Sequence, residues 1–182
     1  MILNQTIVRF QLLTIFIFLF VHASYGGDDV QRTKADVVKQ VFGNEQIFNV
    51  VVNAEQVTAQ RLHFRSHEQG GSLSSYDRDE LVVLSPTIAK DIQRLIQKPS
   101  SYDWMTINKC SVDYGILLAF HSGQRTVRIA LCLHCREISV FDGLSDNAER
   151  VNQEHQFDPM RKQLIAIAKF IFPNDPEIQS QQ

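Results

Sequence analysis

The chain has 182 residues, 44% of them hydrophobic, with 18 Lys and Arg against 20 Asp and Glu and a formal net charge of −2. Such a composition supports a packed core and argues against a disordered chain. It carries no basic footprint for nucleic acid and no polybasic patch for a membrane surface.

Residues 1–23 have the pattern of a signal peptide. A weakly basic start with Arg9 leads into an apolar block from Leu12 to Val21, and Val21 and Ala23 occupy the recognition positions ahead of a cleavage point before Ser24. The block is shorter than the roughly twenty residues that a membrane span needs. The expectation is an exported protein, periplasmic or secreted, with 24–182 as a single domain and no stable membrane span after cleavage. Loss of Arg9 with that segment would take the formal charge from −2 to −3.

Thr33 to Phe42 predicts a helix, with Thr33 and Asp36 placed for a capping box and Gly43 at the end. Ile47 to Val52 and Val57 to Arg65 predict strands, the second with Leu62 and Phe64 alternating against solvent-side Arg61 and His63. Ser66 to Asp79 reads as a loop with nothing to bury, and Leu81 to Leu84 as a short strand. Ser85 and Pro86 open a helix over 86–97 whose buried face is Ile88, Ile92, Leu95 and Ile96. Ser100 to Asn108 is irregular, with Trp104 at a core edge.

Cys110 to Phe141 is the centre of the fold. Two apolar runs flank His121-Ser122-Gly123-Gln124-Arg125, a hairpin signal. With His121 opposite Thr126, Ile116 faces Leu131, Leu118 faces Ile129 and Phe120 faces Val127. Strict alternation would extend that face through Tyr114, Val112, Cys110, Leu133 and Cys135. It would place Cys132 and His134 on the other face, with Asp113, Arg128 and Thr126. Ile138 to Phe141 is a further strand. The polar connection from Asp142 to Phe157 is long for a compact domain and reads as a solvated linker or a partner-contact loop. Asp158 and Pro159 start a last helix over 159–172, ended by Pro173, and the tail from Asn174 is expected to fray. The fold class is therefore α+β: an antiparallel sheet centred on a 114–133 hairpin, packed with about three helices.

Three cysteines in an oxidising compartment cannot all pair within one chain. A disulfide from Cys110 to Cys135 or Cys132 is one reading, with Cys132 the thiol expected to remain free. A metal site from Cys110, Cys132 and Cys135, with His134 as a fourth ligand and zinc as the metal, is a second. A redox dithiol needs Cys132 and Cys135 to meet, which requires a turn at Leu133-His134. His121 lies at the far tip of the hairpin from Cys132. No Gly-x-Ser-x-Gly, His-Glu-x-x-His or phosphate-binding glycine loop is present, and no catalytic residue is assigned.

A Cys well ahead of a Cys-x-x-Cys, followed by a late helix ending in Phe172-Pro173-Asn174-Asp175, resembles an uncharacterised group of exported bacterial proteins over about Tyr102 to Glu177. Members of that group often have a His-His pair before a Gly, where this chain has Asp113-Tyr114-Gly115. The resemblance implies export and no particular activity. The functional expectation is an exported, non-catalytic binding protein, inhibitor- or immunity-like, acting on a protein partner. The alternative is a small metal-binding or thiol-dependent envelope protein using the three cysteines.

Overall fold

The hairpin closes in the register expected from its apolar face. In the computed structural model, which describes residues 31–65, 72–105, 110–151 and 155–182, β4 (Ile116–Ser122) pairs with β5 (Arg125–Cys132) with His121 opposite Thr126 and Ile116 opposite Leu131. Strand β1 (Gln56–Phe64) flanks β4, and β6 (Glu137–Asp142) flanks β5. The short strands β2 (Tyr76–Arg78) and β3 (Val82–Val83) pair with β1, and β7 (His155–Gln156) closes the other edge. All seven strands are antiparallel, so the α+β class is as expected. The chain divides into two units, Met1–Gln31 and Arg32–Gln182, and the expected signal segment, 1–23, lies outside the described residues.

Helices cover one face of the sheet. Helix α1 begins at Lys34–Asp36 and continues as a π turn over Val37–Val41. The Asp36 carboxylate accepts from the Thr33 main-chain N–H at 2.7 Å, as the capping signal implies. Gly43 has φ +73°, and a Cβ there would lie 2.9 Å from the Val151 carbonyl oxygen, so glycine is required by both conformation and space.

Three predicted elements are corrected. Ile47 to Val52 is not a strand but part of helix α2 (Glu45–Val52), capped by the Asn44 side chain, which accepts from the Ile47 N–H at 3.0 Å. The β-branched run suggested a strand, yet Ile47, Phe48, Val50 and Val51 all bury along one side of the helix, and packing overrides propensity. The 66–79 segment lies partly outside the described residues. Within it, Leu73 is fully buried and Tyr76–Arg78 pairs with β1 as β2, so the segment is not merely a solvated loop. The tail is not frayed: Pro176–Ser180 forms a helix, α5, with Ile178 only 1% exposed.

Helix α3 (Pro86–Ile96) follows its signals closely, with Ser85 as cap and Ile92 and Ile96 buried. Helix α4 (Arg161–Ile171) follows a 3-10 turn at Asp158–Met160. Ile92 and Ile96 of α3 and Leu164, Ile165 and Ala168 of α4 belong to one buried apolar cluster with Val57, Leu118, Phe120, Val127, Ile129 and Val140 of the sheet. The opposite face has its own smaller cluster, Leu62, Leu73, Tyr76, Tyr114, Leu117, Ala130, Cys132, Cys135 and Phe141. Among the described residues no helix is long and apolar enough to cross a membrane.

The 142–157 connection is not simply a solvated linker. The Asp146 carboxylate accepts from Arg78 at 2.6 Å and from the buried Arg128 at 3.0 Å, and Arg150 pairs with the buried Glu137 at 3.4 Å. Residues 152–154 lie outside the described residues.

Ile92 is 1% exposed in the helix–sheet layer. We predict that Ile92→Ala lowers stability by about 2–5 kcal/mol in chemical denaturation, as removal of a fully buried branched side chain does. A loss within the noise of the measurement would show that α3 does not pack on the core as described.

Candidate functional site

A cleft of about 490 Å³ opens at the end of the sheet where β1 and the segment before β4 come together with the β5–β6 turn and α5. Its walls include Arg61, His63 and Phe64 of β1, Asp113 and Gly115 ahead of β4, His134 in the turn, and Glu177 and Gln181 of the tail. A shallower depression of about 440 Å³ adjoins it, sharing His63 and running along Asp79 and the 172–176 segment.

Arg61 holds this end together. Its expected solvent-side position is corrected: it shares the face of Val57 and Ala59, while Leu62 lies on the opposite one, and its side chain is only 2% exposed. A guanidinium in that position must be paired and hydrogen-bonded. Its Nε donates to Asp175 Oδ2 at 2.7 Å, its Nη2 pairs with Glu177, and its Nη1 donates to the carbonyl oxygens of Leu62 (2.9 Å) and Gly115. A Cβ on Gly115 would lie 3.0 Å from Nη1, so glycine lets the backbone approach the guanidinium. Asp175 also caps α5, accepting from the Ile178 N–H at 2.8 Å. Partial burial opposes ionisation of Asp175, but hydrogen bonds from the Ile178 main chain and from Arg61 hold its carboxyl below the usual range.

The cysteines fix the other wall. Cys110 and Cys135 form a disulfide with Cα atoms 5.8 Å apart, and Cys132 is the buried free thiol. Strict alternation had placed Cys110, Tyr114 and Cys135 on the face of Leu118. They lie instead on the opposite face, in the cluster with Cys132. For Cys135 the reason is a turn over Leu133–Arg136, closed by the pair Cys132 and Glu137, whereas Cys110 and Tyr114 precede β4, which begins only at Ile116, so its alternation does not reach them. The positive φ that such a turn needs falls on Arg136 (61°), not on Leu133 or His134. Cys132 Sγ accepts from the Cys135 main-chain N–H at 3.2 Å, bracing the turn, and burial pushes its thiol pKa up. The disulfide closes a loop with a sequence separation of 25, which on the chain-entropy estimate stabilises by roughly 3–4 kcal/mol.

Two of the four residues considered as metal ligands are thus bonded to each other, while Cys132 is buried and His134 is exposed. Among the described residues no group of three or more His, Cys, Asp or Glu side chains is arranged to hold a metal ion. Of the cysteine-and-histidine set, only His134 lines the cleft.

Arg61, Asp113, Asp175 and Glu177 are the residues that sequence reasoning missed. A signal for the tail was present: Asp175-Pro176 repeats the cap-and-proline start already used at Ser85-Pro86 and Asp158-Pro159. Asp113 is fixed between the disulfide at Cys110 and Tyr114, whose N–H donates to the Tyr76 hydroxyl at 3.1 Å. Comparison with protein-family models, with curated proteins and with solved structures finds no match.

Two outcomes follow from these constraints. Peptide mapping of the non-reduced protein should recover Cys110 joined to Cys135, with Cys132 alkylated only after denaturation. A Cys132–Cys135 peptide would overturn that pairing. Asp175→Asn should lose about 1.5–3 kcal/mol at neutral pH, the range for hydrogen bonds to charged groups. Because the folded pKa of Asp175 is depressed, its contribution is complete above the ordinary Asp value of about 3.9 and drains away as pH falls through the folded value. Urea denaturation against pH should therefore show wild type and variant converging in acid, and a constant gap would contradict the ion-pair account.

Proposed function

We propose that the protein is an exported, non-catalytic binding protein, inhibitor- or immunity-like, that receives part of a protein partner in the cleft beside Arg61. The observation that carries this reading is the independent anchoring of the cleft walls. The disulfide fixes the Asp113 segment, the Cys132-braced turn presents His134, and the Arg61 ion pairs fix the tail. A recess formed before the ligand arrives loses little entropy on binding, which suits recognition. The disulfide is also in keeping with an oxidising compartment. Arg61 uses four of its five donors within the protein, so its part is to shape the cleft rather than to act on a substrate.

Crosslinking tests the reading. A photo-reactive residue in place of the exposed His134 should yield one crosslinked protein from an envelope extract of the producing cells, competed by excess unmodified protein. The same group in place of exposed Glu45 on α2 should not capture that protein. Equal, uncompeted capture from both positions would sink the proposal. Cys132→Ser, which keeps an acceptor for the Cys135 N–H, should leave the His134 capture unchanged, whereas the thiol-dependent alternative requires its loss.

A further inference from the structure

The charges around the cleft indicate what kind of group it admits. An arginine on the wall would ordinarily point to an anionic ligand. Arg61 does not serve that way, because four acceptors already engage its guanidinium: Asp175, Glu177 and the carbonyl oxygens of Leu62 and Gly115. Both carboxylates that pair with it are supplied by the chain itself.

Asp113 is in the opposite situation. Its carboxylate has no hydrogen bond or ion pair among the described residues, although it lines the cleft. The cleft walls partly desolvate it and Glu177 repels it, so its carboxyl titrates above the ordinary Asp range, with Arg61 and His134 offsetting part of the effect. His63 is already held by Asp79, at 3.1 Å. The lining therefore sets the single guanidinium of Arg61 against the carboxylates of Asp113 and Glu177. The Phe64 ring, 39% exposed, supplies an apolar and aromatic wall beside them. A carboxylate short of counter-charge next to an aromatic wall suits a cation on an aliphatic stem: the charge meets the carboxylate and the stem lies along the ring.

We infer that the cleft receives a basic side chain, the guanidinium or ammonium of an Arg or Lys presented by the protein partner, with Asp113 as its charge partner and Phe64 as the wall against its stem. This rests on the binding function proposed above. It makes the protein selective for a partner that projects a basic residue from its surface.

The test is an amide-resolved NMR titration of the intact protein with N-acetyl-arginine amide, using N-acetyl-glutamine amide as the neutral control. The expected result is saturable shifts at Phe64, Asp113 and His134 with the arginine probe and none with the glutamine probe. Asp113→Asn should weaken the arginine response by about two- to fivefold, as loss of a solvent-exposed charge partner does. Should that variant fail to fold, Asp113→Ser replaces it and must weaken the arginine response in the same way. Equal responses to both probes would overturn the inference, as would no response at the cleft or a response indifferent to Asp113. The two proposals can fail separately. Competed capture from position 134 without an arginine response removes only the basic-side-chain inference. An arginine response with no competed capture removes the protein-partner reading.

Discussion

The guanidinium of Arg61 is the constraint on which the lower end of this protein depends. A buried cation is tolerated only when carboxylates and carbonyl oxygens surround it, because an unpaired buried charge is strongly destabilising. The carboxylates come from the last nine residues of the chain, more than a hundred positions away. That demand orders a polar segment which has little reason to fold alone. Helix α5 spans only Pro176–Ser180, far too short to be stable by itself. It stands because Asp175 both caps it and pairs with Arg61, while Ile178 fills the core beneath.

The opposite face of the sheet obeys the same rule with a second arginine. Arg128 is buried in β5 and reaches solvent-side Asp146, which Arg78 of β2 also contacts. Glu137 is buried in β6 and meets Arg150 from the same connection. The 142–151 stretch therefore returns across the sheet instead of trailing into solvent, and the Val151 N–H donates to the Val140 carbonyl at 2.8 Å. In Asp146, hydrogen bonds from Arg78 and Arg128 outweigh the opposing effect of partial burial and keep the carboxyl below its usual range. Long connections in this protein are ordered where they answer a buried charge.

The cysteines contribute by shaping the backbone. Arg136 accepts the left-handed conformation, Cys132 braces the turn through its sulfur, and Cys135 is thereby carried back toward Cys110. The segment between Cys110 and β4 is then held by the disulfide, by the Tyr76 hydroxyl and by the Gly115 N–H donating to Leu131 at 2.9 Å. Asp113 sits in that pinned segment, so its carboxylate is presented at a fixed place although its side chain is open to the cleft. The binding function proposed above would draw on this fixed presentation, since a segment already held in place loses little entropy on binding.

Local rules written in the sequence settled the sheet centre and most helices. Alternation set the register of β4 against β5, and Ser85-Pro86 set the start of α3, because each depends on residues only a few positions apart. Membership of Cys110 in a disulfide followed from compartment and spacing, and its partner Cys135 was one of two readings left open. Tertiary structure decided the helical state of Ile47–Val52, where burial of Ile47, Phe48, Val50 and Val51 overrides a β-branched preference. It also decided the face of Cys135, which one positive φ at Arg136 reverses. It alone created the cleft, since whether Arg61 faces water or core depends on carboxylates that the chain delivers from its far end. Periodicity reports on neighbours along the chain, and a buried charge is satisfied by neighbours in space.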